Sequence, residues 1–416
     1  MLERLHLKNV GPAPEVEMDF APRVNLITGD NGLGKSFLLE IGFTALTGYL
    51  PANLLPSRFT KIPLEKASFE VQISHKKGTS TARKYKFDFS SQTWTDPVGK
   101  NGQKTNILEN QVVVYQKTGN FFEILKPFRG DERTIISLEN QEVWNGLEQN
   151  GKITSNGLIR DWATWQLENG EAFQQFKAAL ASLSPHEGEK LEPGKLTRVS
   201  LDDARDIPTL KMPYGQEVPI TQASAGIRRV VSLAYMLVWT WQEHLRAAEL
   251  TRQEPAREIV LLIDELEQHL HPRWQRVILP ALLETVKALM KSDVRVQIIA
   301  TTHSPMVLSS LEPLYDDTQD AWFDLNLVNG TVTLERMPWR NRGDASAWLT
   351  SEAFDLPSSG SLDREGAMDR AATAMGNPKL SKKSFLEHDQ ALRGVLGETD
   401  PFWIRWRFMG EKKGWL

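Results

Sequence analysis

Apolar and polar residues alternate from the start of the chain. LERLHLKNV alternates, EVEMDF alternates again, and both predict half-buried strands. VNLIT (24–28) is a short apolar strand running into a Gly-rich turn, and KSFLLEIGFTALTG predicts the helix that follows. FEVQIS (69–74) and KYKFDFSSQTW (84–94) alternate around Lys77 and Gly78, the pattern of an antiparallel hairpin at a domain edge. QVVVYQ (111–116) adds another strand. From about residue 130 to 184 the period becomes helical, anchored by Trp144, Leu147, Leu158, Trp162 and Leu167, which predicts a helical insertion.

A Pro-, Gly- and charge-rich connector (185–219) leads to ASAGIRR and then to VVSLAYMLVWTWQEHL, apolar on nearly every face and therefore expected to be deeply buried. EIVLLIDE (258–265) and VQIIATTH (296–303) are continuous apolar runs, as expected of parallel strands covered on both faces, and HPRWQRVILPALLETVKALMKS between them predicts a crossover helix. The last eighty or so residues are more polar and helical and end in PFWIRWRFMGEKKGWL. The pattern predicts an α/β protein with a mixed β-sheet core, an antiparallel β edge lobe, a helical insertion and a mostly helical C-terminal region. Its expected segments are 1–129, 130–219, 220–335 and 336–416.

Composition narrows the function classes. Across 416 residues, 49 Lys and Arg stand against 53 Asp and Glu, a net charge of −4, so no global positive excess marks a nucleic-acid binder, while local patches stay open. The absence of cysteine removes disulfides, thiol catalysis and thiolate metal sites. MLERLHLKNV lacks a signal-peptide pattern, and the longest apolar window, Val230 to Trp241, is too short to span a bilayer; a cytoplasmic protein away from membranes is expected.

Gly29-Asp30-Asn31-Gly32-Leu33-Gly34-Lys35-Ser36, followed by Phe37, fits G-x-x-x-x-G-K-[ST] between a strand and a helix. Its glycines let backbone N–H groups wrap a phosphate, and the helix N-terminus points its positive dipole at the anion. Lys35 then reaches the β- and γ-phosphates, and the Ser36 hydroxyl serves Mg²⁺. The strand Leu261-Leu262-Ile263 delivers Asp264 and Glu265 to its carboxyl end, where Asp264 is placed for Mg²⁺ and Glu265 for the attacking water. His303 ends the next apolar strand, placed for the γ-phosphate. Ser224-Ala225-Gly226 offers a hydroxyl and two small residues ahead of a long helix.

These elements in this order resemble the ATP-binding-cassette ATPases. That resemblance implies ATP and Mg²⁺ as ligands, a homodimer or higher homo-oligomer in which Ser224 and Gly226 close over the ATP of a second subunit, and Gln116 as the Q-loop residue at the metal. NLITGDNGLGKS, DELEQHLHP and ATTHSP together are similar to the RecF, SMC and OLD group of AAA-type ATPases. Sustained heptads of SMC arms are absent, and no strand-borne Asp-x-Asp of an OLD nuclease follows His303, so no intrinsic nuclease is expected. What remains resembles the PtuA-like ATPases of Septu and retron-linked antiphage systems, which act with a separate nuclease or toxin subunit. A RecF-like ATPase acting on DNA and a slowly hydrolysing assembly scaffold are the alternatives. His269 and His271 do not have metal-site spacing, and Trp144, Trp162 and Trp165 are expected in a core. In the tail, Trp403, Arg405, Trp406, Arg407 and Phe408 either grip a nucleic acid or partner, or dock as an amphipathic helix on the chain's own body.

Overall fold

Leu5 and Leu7 are buried between less buried neighbours on the first strand, and this alternation starts an antiparallel sheet. The computed structural model describes residues 1–49, 67–74, 80–88, 93–94, 111–125, 135–290 and 294–416. Strands β1 (Leu2–Lys8), β2 (Glu15–Asp19) and β3 (Val24–Gly29) precede helix α1 (Lys35–Thr47). Strands β4 (Ser68–Ser74), β5 (Ser80–Asp88) and β6 (Thr93–Trp94) complete a five-stranded sheet of order β2-β1-β4-β5-β6. β4 and β5 pair antiparallel, and the turn expected at Lys77 and Gly78 lies outside the described residues. Phe69 stacks on Tyr85 with ring centroids 4.3 Å apart.

β7 (Val112–Lys117), β8 (Phe121–Leu125) and β9 (Ile135–Leu138) form one flank of a second sheet. Then come α2 (Asn140–Asn145), the ribbon β10 (Leu147–Gln149) and β11 (Lys152–Ser155), α3 (Leu158–Glu168) and α4 (Glu171–Ser182). A three-stranded antiparallel sheet of β12 (Glu192–Thr197), β13 (Ile207–Lys211) and β14 (Glu217–Pro219) follows, so the expected helical insertion and its connector also carry six strands among the described residues, β9 to β14. Trp162 is fully buried and meets Phe176 edge-on at 4.8 Å, a core role as expected.

α5 (Ala225–Thr251) is the long buried helix, packed on α4, and β15 (Glu258–Ile263) is buried at every position. The predicted crossover helix divides into α6 (Pro272–Gln275) and α7 (Ile278–Met290). Pro280 has no N–H to give Arg276, so the helical ladder is not continuous there, and proline is accommodated in the first turn of α7. β16 (Arg295–Thr301), α8 (Pro305–Leu311), β17 (Asp320–Val328) and β18 (Thr331–Met337) complete the second sheet, of order β18-β17-β3-β16-β15-β7-β8-β9. Its centre, β17-β3-β16-β15-β7, is parallel and both flanks are antiparallel. The hairpin β17–β18 stands where no strand was predicted. Its signal was Asn329-Gly330, both at positive φ (50° and 77°) in a two-residue turn. α1 packs on β1 of the first sheet and on β3, β7, β15 and β16 of the second, so one core joins both sheets.

By its contacts the chain divides into Met1–Gly343 and Asp344–Leu416. The second unit carries α9 (Ala345–Leu349), followed by α10 (Leu362–Met375), α11 (Lys382–Arg393) and α12 (Phe402–Lys412), the last three packed around Phe385, Leu392, Trp403 and Trp406. The tail aromatics Trp403 and Trp406 are thus spent on their own unit, whereas Ile404 and Phe408 are exposed. Among the described residues no helix is long and apolar enough to cross a membrane.

Candidate active site

The parallel strands β3, β16, β15 and β7 all end at one edge of the large sheet, the edge where open α/β sheets bind ligands. Cross-strand bonds continue past the strand ends: Asp264 N–H donates to Gln116 O (2.9 Å), Leu266 N–H to Thr301 O (3.0 Å) and Thr302 N–H to Ile27 O (3.1 Å). The loop after β3, the acids after β15, His303 after β16 and Gln116 near the end of β7 are therefore brought together by the sheet register alone.

In the loop, Gly29 has φ 128°, and a Cβ there would stand 2.4 Å from Leu325 O on β17. Gly34, at φ 103°, is the cap residue of α1 and has no side chain to satisfy the helix N–H groups. α1 thus begins with open donors and no acidic residue in its first turn, an arrangement suited to an anion. Asp30, Asn31, Gly32 and Ser36 are exposed along the loop, Leu33 is buried beneath it, and Phe37 is half-buried against Gly11. Lys35 is 7% exposed and its Nζ donates to Gly29 O (2.7 Å) and Asp30 O (2.8 Å), so the ammonium is folded onto its own loop. Burial pushes its pKa below the ordinary lysine value, against the opposing pull of Asp264, Asp30, Glu265 and Glu267.

Asp264 is buried, and its Oδ1 accepts from Thr301 Oγ1 at 2.7 Å. The same Thr301 oxygen accepts from Glu265 N–H at 2.8 Å, so one hydroxyl fixes both acids. Glu265 sits at φ 48°, a left-handed backbone that costs a non-glycine residue on the order of 1–3 kcal/mol. Glu267 holds the neighbouring strand end, accepting from Thr302 Oγ1 (2.7 Å) and His303 N–H (2.6 Å). Half-buried His303 is pushed below its ordinary pKa by burial and then by the charge of Lys35. Gln116 is 1% exposed; its Nε2 reaches Asn120 Oδ1 at 3.4 Å, and its Oε1 is a buried acceptor without a hydrogen-bond partner.

Ser224 caps α5, its hydroxyl accepting from Ile227 N–H at 3.4 Å, and among the described residues it bonds nothing in the Gly29–Ser36 loop. Gly226 lies against the 265–269 segment, where a Cβ would stand 2.7 Å from His269 O. Arg229, one turn along, is buried and donates to Glu265 O at 2.8 Å. Thr301, Glu267 and Gln268 support the acids; they stand inside the DELEQHLHP and ATTHSP runs but were given no role of their own from the sequence. His271 caps α6, accepting on Nδ1 from Arg273 N–H at 3.3 Å, and among the described residues no cluster of three or more His, Asp or Glu forms a metal site.

Known proteins resemble this chain. The "Retron Ec83 probable ATPase" of Escherichia coli is 36% identical over 97 residues, 23% of this chain and 15% of that protein. The Septu protein PtuA of Bacillus mycoides (strain KBAB4) is 20% identical over 403 residues, covering 92% of this chain and 48% of its own length. The chain thus spans about half or less of the length of these two relatives. The Septu protein PtuA of Bacillus thuringiensis is 22% identical over 319 residues, covering 74% of this chain and 73% of its own. Among solved structures, an SMC head bound to the C-winged helix domain of ScpA is similar at 14% identity and a TM-score of 0.45, covering 81% of this chain and 97% of that one. A family model described as "AAA domain, putative AbiEii toxin, Type IV TA system" matches residues 24–309, more than half of the chain, and with the phosphate loop and paired acids already on one sheet edge, the chain belongs to that AAA family.

Proposed function

We propose that the protein is a cytoplasmic, Mg²⁺-dependent ATPase that assembles through ATP held between two copies and regulates a separate nuclease or toxin in antiphage defence. The observation that carries this reading is the convergence of Lys35, Asp264, Glu265, His303 and Gln116 at the carboxyl edge of one parallel sheet. The similarity to a retron ATPase and to Septu proteins supports the defence role. The donor set suits Mg²⁺: the exposed Ser36 hydroxyl, the buried Asp264 carboxylate and the orphaned Gln116 Oε1. When bound, the ion neutralises phosphate charge.

Lys35, released from Gly29 O and Asp30 O, takes phosphate oxygens in their place, so its positive charge is already desolvated and directed when ATP arrives. Glu265 orients the attacking water and accepts its proton, held by Thr301 and Arg229 at its backbone. His303, kept neutral by burial, is suited to polarising the γ-phosphate end through a hydrogen bond. Ser224 and Gly226 of a second copy close the site.

The test is turnover and molar mass of the pure protein, parent and Glu265→Gln, with and without ATP and Mg²⁺. The variant is expected to hold ATP, to double in mass with it, and to turn over ATP about 10²–10³-fold more slowly. Unchanged turnover in the variant sinks the assignment of Glu265, and a mass that ignores ATP sinks the shared site.

A further inference from the structure

The helices of the C-terminal unit keep their charges apart. α11 and α12 run antiparallel: Arg393, at the end of α11, lies 5.8 Å from the centroid of the Trp403 ring, while Phe385, near its start, stacks on Trp406 and lies 5.4 Å from Trp415. Gly410 permits the close approach, since a Cβ there would stand 2.7 Å from Phe385 Cζ. The start of α11 and the end of α12 therefore share one end of the unit.

That end is cationic. The turn into α11 and its first residues supply Lys379, Lys382 and Lys383, and α12 with the residue after it supplies Arg405, Arg407, Lys412 and Lys413. All seven are exposed, and the only acid within 379–383 and 405–413 is Glu411, which leaves a charge of +6 there in a chain whose net charge is −4. Glu387 follows one turn into α11. Among the described residues none of the seven cations forms an ion pair, whereas toward the opposite end Arg364 pairs with Asp400 (2.7 Å) and Arg393 with Asp389 (2.7 Å).

The cationic end does nothing for the fold. Lys382 and Lys383 occupy the first turn of α11, where the helix dipole disfavours positive charge, and like charges brought together repel. Aromatic rings lie among them. Phe408 is 66% exposed, and its neighbours three and four residues away on the helix are Arg405, Glu411, Ile404 and Lys412. Lys413 Nζ stands 4.7 Å from the centroid of the half-buried Trp415 ring. Unpaired cations beside an open ring suit a ligand that brings a phosphate backbone and an unstacked base.

We infer that this face of α11 and α12 binds single-stranded nucleic acid, with the lysines and arginines on phosphates and Phe408 stacked on a base. An acidic protein fits less well, because lysine is depleted at protein interfaces and α12 exposes only Ile404 and Phe408 as large apolar side chains. A duplex would meet the cations but keep its bases from the Phe408 ring. Lys35 and the phosphate loop belong to Met1–Gly343, so substitutions on this face leave them in place.

The experiment is fluorescence anisotropy of a labelled single strand of about 20 nucleotides, titrated with the full chain over a series of salt concentrations. Binding at low salt that weakens steeply as salt rises is expected. Lys382→Ala with Lys383→Ala, and separately Lys412→Ala with Lys413→Ala, should each lower the affinity and reduce the slope of log affinity against log salt by about 1 to 2. Phe408→Ala should weaken the single strand about tenfold, with the salt slope and the affinity for the matching duplex unchanged. All these positions are exposed, so melting temperatures should stay with the parent's. A parent that binds no strand at about 50 mM salt overturns the inference, as does a salt slope that ignores all four lysines. A duplex bound as tightly as the single strand, with Phe408→Ala harmless, overturns the single-strand assignment. Polyglutamate that displaces the strand as well as unlabelled strand does would give the surface to an acidic protein instead.

Discussion

The carboxyl edge of the large sheet and the C-terminal unit are built on opposite terms. At the edge, Gly29, Gly32, Gly34, Glu265 and His269 hold positive φ, Lys35 and Arg229 are buried cations, and Gln116 Oε1 is a buried acceptor left open. In Asp344–Leu416, α9, α10 and α11 each begin on a capping side chain, from Asp344, Ser361 and Ser381, that accepts a backbone N–H. Its buried Asp389 is met by both Arg393 Nε (2.7 Å) and Trp406 Nε1 (3.1 Å), and Phe385 stacks on Trp406 at 4.6 Å. The C-terminal unit obeys local rules almost throughout, whereas the edge breaks several at once. A fold maintains such violations where the surrounding structure over-determines them, so their clustering marks where binding and chemistry are expected.

The contrast predicts that edge substitutions change nucleotide handling with little loss of stability, and that C-terminal core substitutions do the reverse. The largest effect is expected from Lys35→Ala: titration with a fluorescent ATP analogue should show at least about a hundredfold loss of affinity from the missing charge-assisted bonds. Its urea midpoint should stay near the parent's, because the desolvated ammonium adds no folding stability of its own. Retained affinity would break the comparison at its strongest point. Trp406→Ala should cost on the order of 3–5 kcal/mol within its own unit, read as lost hydrogen-exchange protection in α10 to α12, with nucleotide affinity preserved.

An effect of intermediate size is expected from a buried histidine and is read by pH. His244 on α5 accepts from Ala256 N–H on Nε2 at 2.7 Å, and burial lowers its pKa from 6.5 to about 4. Below pH 6.5 the unfolded chain takes up a proton that the folded one refuses until about pH 4, so this group's stability contribution is lost as pH falls through that window. The loss reaches about 3 kcal/mol, and His244→Gln should flatten the urea midpoint between pH 7 and pH 4.5. An equally steep midpoint in that variant would assign the pH sensitivity to other groups. The smallest effect is Ser381→Ala, which removes the cap bond to Ser384 N–H and should cost about 1 kcal/mol in the C-terminal unit alone.

Much of the site was legible because its signals are local. The phosphate loop needs its glycines and lysine at fixed spacing, and an apolar strand ending in two acids announces itself within eight residues. The hairpin β17–β18 was also written in the chain as Asn329-Gly330 between alternating segments, yet Asp320 and Asp324 in β17 make that strand look polar. Both acids are in fact buried: Asp320 pairs with Arg23, and Asp324 accepts from Thr28 Oγ1 on β3 and from Asn326 Nδ2. Gln268 stood inside the DELEQHLHP run, but no role could be read for it, because two of its partners, Gly119 and Arg229, lie 149 and 39 residues away.

The sequence by itself determined the α/β alternation, the phosphate loop and the acids that follow β15, since hydrophobic period and turn chemistry act over a few neighbouring residues. Only the tertiary structure decided that β3, β7, β15 and β16 end side by side, that Thr301 holds Asp264 and Glu265 together, and that α5 reaches the acids through Arg229. Those are pairings between distant segments, chosen by sheet register and by the cost of burying a polar group without a partner.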